Sequence, residues 1–313
     1  MTTPRRLAVI DLGTNTVRLL VAEAEAGPVW RAVHAEQRVT RLGEGLEPHG
    51  ALGSEPMART SRAVKAYVAS ARRHGAVSIR VVATSAVRDA RNGGQFARDL
   101  AAATGTIVDV VSGEDEARLT LRGLRRGLRL PSGRMLAFDI GGGSTEYVLA
   151  RDGVLESAVS LRLGVVALAE RFTFPERVEP SRYEALVDDV RGRLAREIPA
   201  GLTASPIDVL VGTAGTVTTL AALDLGLSAY DPERVHGHRL TRGAVETQRT
   251  RLAALTVAQR GAVPCLEPGR ADLIVPGIAI VMATFERWCL DGMVVSEYGL
   301  REGMMDAIVG SDA

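Results

Sequence analysis

The 313-residue sequence has few cysteines and no long apolar run. Its two cysteines, Cys265 and Cys289, lie outside any Cys-x-x-Cys spacing, which argues against a structural metal site and a disulfide framework. The longest apolar stretch, 273–285, is shorter than the ~20 residues that span a bilayer, and it contains Pro276. Polar residues interrupt the apolar start of the chain, which argues against a signal peptide. We therefore expect a cytoplasmic protein without a membrane partner.

The sequence also lacks an excess of charge of either sign. It has 38 Lys and Arg against 37 Asp and Glu, a net charge of +1. Because a general nucleic-acid surface needs many spare cations, we expect no nucleic-acid partner. Lys65 is the only lysine, so almost every cation is an arginine. Two explanations stay open: codon bias in a GC-rich genome, and the fit of the planar guanidinium to phosphate oxygens.

Length and composition predict a globular chain of two domains, at a prior of roughly 150 residues each. The same pattern occurs twice: an apolar run, a polar turn that begins with Asp, and a second apolar run, at 6–22 and again at 135–150. Asp11 and Asp139 are 128 positions apart, while Thr84 and Thr213, each at the end of an apolar run, are 129 apart. Two matches at nearly one spacing predict a duplicated α/β domain.

The duplicated turns have the composition of phosphate-binding loops. The segment Asp139–Glu146 contains three consecutive glycines, whose backbone N–H groups can surround phosphate oxygens. Asp139 and Glu146 flank these glycines, and carboxylates beside a phosphate are typical Mg²⁺ ligands. The first copy of the turn is 11–16. A third glycine-containing turn, 212–216, follows a predicted strand and precedes a predicted helix, where free N–H groups favour anions.

The three turns resemble the phosphate motifs of the actin-like fold. Further segments narrow the resemblance to the exopolyphosphatase / guanosine pentaphosphate phosphatase (Ppx/GppA) family; they are 83–90, 112–118, 269–277 and 298–303. The resemblance spans almost the whole chain, and it implies two actin-like (ribonuclease H-like) α/β domains, with mixed sheets flanked by helices and a cleft between them. We place domain I at 1–125, with a C-terminal helix at 299–313 that packs back on it, and domain II at 126–298.

The resemblance assigns roles by position. Glu116 fills the place of the general base, and Arg88 is expected to neutralise charge on the transferred phosphoryl group. Asp139 and Glu146 are expected to hold Mg²⁺ or another divalent cation, supported by Asp11. The predicted phosphate-binding residues are Gly13, Thr14, Asn15, Gly141, Gly142, Gly143, Ser144, Gly212, Thr213, Ala214 and Gly215. Arg18 and Arg270 match family arginines and are weaker candidates for substrate binding or for holding loops.

Four arginines recur on one face of the helix expected at 114–129: Arg118, Arg122, Arg125 and Arg129. We call them the arginine row. Two interpretations stay open, a solvated helix face and a positive track that leads a polyanion towards Glu116. The acidic residues Glu114 and Asp115 open the same helix and are read as partners of the helix dipole.

The function implied is Mg²⁺-dependent hydrolysis of the terminal phosphoanhydride of inorganic polyphosphate by base-activated water. Guanosine pentaphosphate is the alternative substrate within the same chemistry. A kinase of the actin-like fold and a sensor that binds guanosine alarmones are more remote alternatives. The implied partners are thus polyphosphate or an alarmone, and the family also allows a homodimer.

Overall fold

The computed structural model describes residues 4–25, 29–129 and 132–311, without the side chain of Ser311. The predicted domains also include residues 1–3, 26–28, 130–131 and 312–313, which are outside the described residues. The chain forms two compact units: unit 1 comprises Met1–Arg126 with Gly299–Ala313, and unit 2 comprises Gly127–Tyr298.

Unit 1 contains a five-stranded mixed sheet of order β3-β2-β1-β4-β5 among its described residues. Its strands are β1 (Arg5–Leu12), β2 (Thr16–Ala24), β3 (Trp30–Val39), β4 (Ala76–Ala83) and β5 (Ile107–Val110). Its helices before residue 128 are α1 (Leu46–His49), α2 (Ser54–Arg73), α3 (Ser85–Asp89), α4 (Gly93–Thr104) and α5 (Gly113–Gly127), whose last residue belongs to unit 2.

Unit 2 contains a six-stranded sheet of order β10-β11-β9-β6-β7-β8. Its strands are β6 (Arg134–Ile140), β7 (Thr145–Arg151), β8 (Val154–Leu161), β9 (Val209–Thr213), β10 (Arg239–Thr241) and β11 (Gly292–Ser296). Its further helices are α6 (Val165–Arg171), α7 (Pro180–Glu197), α8 (Ala200–Thr203), α9 (Ala214–Asp224), α10 (Pro232–Val235), α11 (Arg242–Ala253), α12 (Val257–Arg260), the 3-10 helix Pro268–Arg270 and α13 (Ile274–Trp288). The chain then returns to unit 1 as α14 (Leu300–Ser311).

The two sheets repeat one topology. In unit 1, β1 pairs antiparallel with β2 and parallel with β4, β2 pairs antiparallel with β3, and β4 pairs parallel with β5. In unit 2, β6, β7, β8, β9 and β11 repeat these pairings in the same order, and β10 adds an edge. The predicted duplication into two α/β domains, with mixed sheets flanked by helices, is therefore confirmed.

The sheet of unit 1 buries both faces, because side chains alternate across a strand. On one face Ala8, Ile10 and Leu12 pack with residues of α2 and α4. On the other face Leu7 and Val9 pack with residues of β2 and α14. The last helix of the chain is thus the cover of one sheet face in unit 1.

Two glycines bring α14 into contact with α5. A Cβ atom at Gly123 would lie 1.9 Å from the carbonyl oxygen of Gly299, and one at Gly303 would lie 1.8 Å from that of Leu119. Because real Cβ atoms are not found at such distances, this contact of backbone against backbone requires glycine at both positions.

The structure adds elements that apolar patterning did not predict. β3 and β5 are mainly exposed or half-buried, and β5 is a sheet edge, so neither has the alternation of a half-buried strand. The residues after Thr84, expected as a turn, form the short helix α3, because the N–H groups of Val87 and Arg88 both bond to the Thr84 carbonyl. No helix in the described part of the chain is both long and apolar enough to cross a membrane.

Candidate active site

The first hairpin turn has the same geometry in both units. In unit 1 the N–H of Gly13 donates to the carbonyl of Thr16 at 3.1 Å, and in unit 2 the N–H of Gly141 donates to the carbonyl of Ser144 at 2.9 Å. Within the described residues, no protein acceptor lies on the N–H groups of Thr14, Asn15, Gly142 and Gly143. Both turns therefore present backbone donors of the kind that bind phosphate oxygens.

Two carboxylates lie side by side next to the turn of unit 2. Asp139 on β6 is directly opposite Glu146 on β7, so the two side chains share one face of the sheet. Glu146 is buried, and its Oε1 accepts a hydrogen bond from the Ser160 hydroxyl at 2.6 Å. Like charges in this register repel, and a cation between them removes the repulsion.

This pair of carboxylates suits a Mg²⁺ ion whose coordination shell is completed by the substrate. Magnesium is commonly held by one or two carboxylates, with water and phosphate oxygens as its other ligands. The described residues contain no group of three or more His, Cys, Asp or Glu side chains arranged to hold a metal. Asp139 and Glu146 thus have the chemistry of a partial Mg²⁺ ligand set, and they lie beside a turn whose N–H groups suit phosphate oxygens.

The corresponding hairpin of unit 1 holds a different pair. Asp11 on β1 is directly opposite Arg18 on β2. Burial raises the pKa of the Asp11 carboxyl to about 6, although the positive charges of Arg18 and Arg301 oppose the rise. A second acid corresponding to Glu146 is absent at this register position, so Asp11 faces a cation instead of another carboxylate.

Glu116 and Arg88, the two predicted catalytic residues, are in contact. Glu116 lies in the first turn of α5 and is 8 % exposed. Arg88, near the end of α3, donates from Nη1 to Glu116 Oε2 at 2.9 Å and to the carbonyl of Val111 at 3.0 Å. The pair therefore combines a buried carboxylate with an adjacent guanidinium.

The other acids of this helix turn have structural partners. Glu114 and Asp115 are exposed, and both pair with Arg118. The hydroxyl of Ser112 accepts a hydrogen bond from the Asp115 N–H at 3.1 Å, as a capping residue does. Glu116 thus differs from its two acidic neighbours in being buried, whereas Glu114 and Asp115 are exposed to solvent.

The third turn of the predicted set joins β9 to α9. Thr213 donates its hydroxyl to the carbonyls of Ser296 and Tyr298, and Ala214 begins the helix at a positive φ of 68°. A Cβ at Gly215 would lie 1.6 Å from Nη1 of Arg270, so this arginine lies directly over the turn. Gly212 lies earlier, within β9, where a Cβ would approach Met293, and packing accounts for it.

The chain's similarity to known proteins agrees with this geometry. Residues 20–312 match the model of the Ppx/GppA phosphatase family. The chain belongs to this family. It is 35% identical to Exopolyphosphatase 2 of Mycobacterium tuberculosis, over 97% of this chain and 99% of that protein. It is 29% identical to Exopolyphosphatase 1 of the same species, over 98% of this chain and 89% of that protein.

Solved structures of the Ppx/GppA family share the fold. The Aquifex aeolicus family member superposes with a TM-score of 0.82 at 30% identity, covering 99% of both chains. An exopolyphosphatase from Cytophaga hutchinsonii superposes with a TM-score of 0.91 at 24% identity, covering 98% of both chains. The predicted family and the predicted enzyme class, a hydrolase of phosphoanhydride bonds, are confirmed.

In this Ppx/GppA protein, part of the arginine row has structural partners. Arg118 pairs with acids of its own helix, and Arg122 donates to the carbonyl of Asp306 in α14 at 2.7 Å. Arg125 and Arg129 are exposed. Both interpretations of the row, a solvated helix face and a positive track, therefore stay predictions.

A segment outside the predicted motifs supports the turn of unit 1. The N–H groups of Thr40 and Arg41 both donate to the carbonyl of Asn15 at 2.9 Å, and that of Gly43 donates to Thr14 at 2.9 Å. A Cβ at Gly43 would lie 2.2 Å from the Thr14 methyl group. This segment fixes the shape of the first turn from outside it.

Unit 2 has an analogous support. The N–H groups of Val165 and Val166 donate to the carbonyls of Gly141 and Gly142, and a Cβ at Gly164 would lie 2.2 Å from the carbonyl oxygen of Gly142. The sequence carried a signal for both supports. The tripeptide Arg-Leu-Gly follows the third strand of each unit, at 41–43 and at 162–164.

Proposed function

We propose that the chain is an exopolyphosphatase that releases the terminal phosphate of inorganic polyphosphate. The observation that carries the proposal is the contact between Glu116 and Arg88, a buried carboxylate held 2.9 Å from a guanidinium. A hydrolase of phosphoanhydrides needs a group that accepts a proton from water and a cation that balances charge on the phosphoryl group. This contact holds the two together in unit 1.

In the proposed step, the oxygen of a water molecule attacks the terminal phosphorus in line with the bridging oxygen. The bond from phosphorus to the bridging oxygen breaks, Glu116 accepts the proton of the water, and the shortened polyphosphate leaves with the bonding electron pair. Arg88 interacts with the equatorial oxygens. Because phosphoryl transfer depends mainly on positioning and charge stabilisation, these two side chains and the turn amides each contribute directly to the step.

The arrival of substrate changes the partner of Arg88. A phosphoryl group carries more charge than one carboxylate and suits the planar fork of arginine. Movement of Arg88 towards phosphate leaves a carboxylate oxygen of Glu116 for the water. The ion pair of the structure thus keeps the base in its place until a phosphate competes for the guanidinium.

The metal we propose is Mg²⁺, and the residues of unit 2 that would hold it are Asp139 and Glu146. When bound, it would neutralise charge on phosphate oxygens. The N–H groups of Gly142 and Gly143 would bind phosphate beside it. Asp11 is the less favoured ligand, because it faces Arg18.

Inorganic polyphosphate is the proposed substrate, and guanosine pentaphosphate is the alternative. The relative named Exopolyphosphatase 2 aligns over 99% of its own length, which favours polyphosphate. The test is phosphate release in the presence of Mg²⁺ from tripolyphosphate, long polyphosphate and guanosine pentaphosphate at equal concentrations of chain ends. We expect the highest kcat/KM with one of the polyphosphates.

Each other outcome contradicts part of the proposal. Preference for guanosine pentaphosphate would replace the substrate but keep the chemistry. Transfer of the γ-phosphate of ATP to an acceptor, without release of phosphate from any of the three substrates, would replace hydrolysis with kinase activity. Tight binding of guanosine pentaphosphate without turnover would favour a sensor.

A further inference from the structure

Two charged residues next to the first turn, Asp11 and Arg18, lie on one face of the sheet in unit 1. On β1, Asp11 alternates onto the same face as Leu7 and Val9, which pack against α14. On β2, Arg18 shares this face with Leu20, another residue of the same core. The polar ends of β1 and β2 therefore point towards the side of the sheet that α14 covers.

The N-terminal turn of α14 carries a buried ion pair. Glu302 Oε1 accepts hydrogen bonds from Arg301 Nε at 2.9 Å and from Arg301 Nη2 at 2.7 Å. Its second oxygen accepts the N–H of Gly299 at 3.0 Å, which caps the helix. The Glu302 side chain is 8% exposed and that of Arg301 is 23% exposed. Two hydrogen bonds to one oxygen leave the guanidinium little rotational freedom.

The same face also carries α5 and the segment before it. Val111, whose carbonyl accepts a hydrogen bond from Arg88, and Leu119 of α5 both pack against the core formed with α14. The charges of Arg301 and Glu302 both act on the carboxyl of Asp11. Arg301 thus lies within electrostatic range of Asp11 at the end of β1, on the side of the sheet where Val111 and Leu119 of the Glu116 helix region pack.

We propose that Arg301 is a further substrate-binding residue, a cation for the phosphates of an inorganic polyphosphate, and that Glu302 is its positioning residue. The proposal rests on the proposed function and deepens it. Arg301 and Arg18 lie on the side of the sheet that α14 covers, beside Glu302 and Asp11, while Arg88 pairs with Glu116. Each of these arginines has a carboxylate beside it, so interaction with a polyanion requires an arginine to exchange a carboxylate for a phosphate, as a planar fork of donors can do.

The test compares Arg301→Gln, Arg301→Lys, Glu302→Gln and the double variant Arg301→Gln/Glu302→Gln. Arg31→Ala is the matched control, because Arg31 forms an exposed pair with Glu23 elsewhere on this sheet. The readouts are KM and kcat for tripolyphosphate, its dissociation constant measured by calorimetry in the Glu116→Gln background, and the melting temperature. Glu302→Gln keeps an oxygen for the Gly299 N–H, so the helix cap survives.

We expect Arg301→Gln to raise KM and the dissociation constant about tenfold, the effect of losing one charge-assisted contact, with a smaller change in kcat. Arg301→Lys should recover part of the loss. Glu302→Gln should act in the same direction but less, and the double variant should be no worse than Arg301→Gln, because the glutamate acts only through the arginine. Arg31→Ala should leave both constants unchanged.

Unchanged tripolyphosphate binding in a folded Arg301→Gln variant would overturn the proposal. So would additive losses in the double variant, or a fall in melting temperature that accounts for every change in KM. The proposed function has a separate failure, the absence of phosphate release from polyphosphate by the wild-type chain. In that case the calorimetric comparison still decides whether Arg301 binds a phosphate chain.

Discussion

The first hairpins of the two units share their topology, their turn hydrogen bond and a leading aspartate, and they differ in the residue opposite it. Asp11 faces Arg18 in unit 1, whereas Asp139 faces Glu146 in unit 2. The first pair joins an acid to a cation, whereas the second places two carboxylates side by side, which a cation can bridge. The difference teaches that one duplicated scaffold, with a turn suited to phosphate in each copy, can carry two different electrostatic environments beside that turn.

The largest effect on activity is expected when the proposed general base of unit 1, Glu116, is replaced. We expect Glu116→Gln to reduce kcat by ~10²–10⁴-fold, the usual contribution of general-base catalysis, because the amide cannot accept the proton of water. The melting temperature should hardly change, since the amide can still accept the hydrogen bond of Arg88. Glu114→Gln, an exposed change in the same helix turn, is the control. A kcat near the wild-type value would remove Glu116 from the role.

The next test asks whether the cation depends on unit 2 alone. We expect Asp139→Asn and Glu146→Gln to lower kcat by roughly 10²-fold and to raise the Mg²⁺ concentration for half-maximal activity, since metal catalysis contributes several kcal/mol. Arg18→Ala in the matching hairpin should leave that Mg²⁺ concentration unchanged. The measurement is phosphate release during a Mg²⁺ titration. An equal shift in Arg18→Ala would contradict the division.

A third test concerns the helix contact found in unit 1. We expect Gly123→Ala to lower the free energy of unfolding by about 1–3 kcal/mol, because the added methyl group meets the Gly299 carbonyl oxygen. Gly243→Ala, in α11 of unit 2 with open space around its Cβ position, is the control and should be neutral or slightly stabilising. Urea unfolding followed by circular dichroism measures both. Equal stability of the two variants would show that the helices separate without cost.

The smallest effect expected is on the pH dependence of stability in unit 1. The pKa of Asp11 is raised to about 6 by folding, so the folded chain binds more protons than the unfolded chain between pH 4 and 6. The contribution of Asp11 to stability should therefore fall as the pH rises through this window, and Asp11→Asn should remove that contribution. We expect the variant to gain on the order of 2 kcal/mol at pH 8 and almost nothing at pH 4.

The measurement for Asp11 is urea unfolding at both pH values with EDTA present, so that no divalent cation contributes. A gain of the same size at pH 4 would show that packing, and not ionisation, produces it. A loss at pH 8 would show that the pairing of Asp11 with Arg18 outweighs the cost of burial. That result would make the acid–base pair of unit 1 a source of stability.

Sequence patterns predicted the centre of each sheet and its turns better than its edges. β1 and β2 were found because buried apolar runs surround a polar turn, while β3 was missed because most of its side chains are exposed or half-buried. A pattern also indicates residue types and not distances. The contact between Arg88 and Glu116 joins residues 28 positions apart, and only the fold brings them to 2.9 Å. Arg301 and Glu302 lie within the segment 298–303, which carries part of the family resemblance. The residues of that segment do not, however, predict which groups these two side chains face.

The cover that α14 places on unit 1 has a consequence for how the protein is made. A ribosome releases the residues of α14 after all of unit 2, yet Leu300, Met304 and Met305 complete a core begun by Leu7 and Val9. Throughout synthesis of the intervening 172 residues, Gly127–Tyr298, that apolar face lacks its cover. Unit 2 is complete in sequence before unit 1, although unit 1 begins first, so a nascent chain can complete this core only after unit 2 has been synthesised.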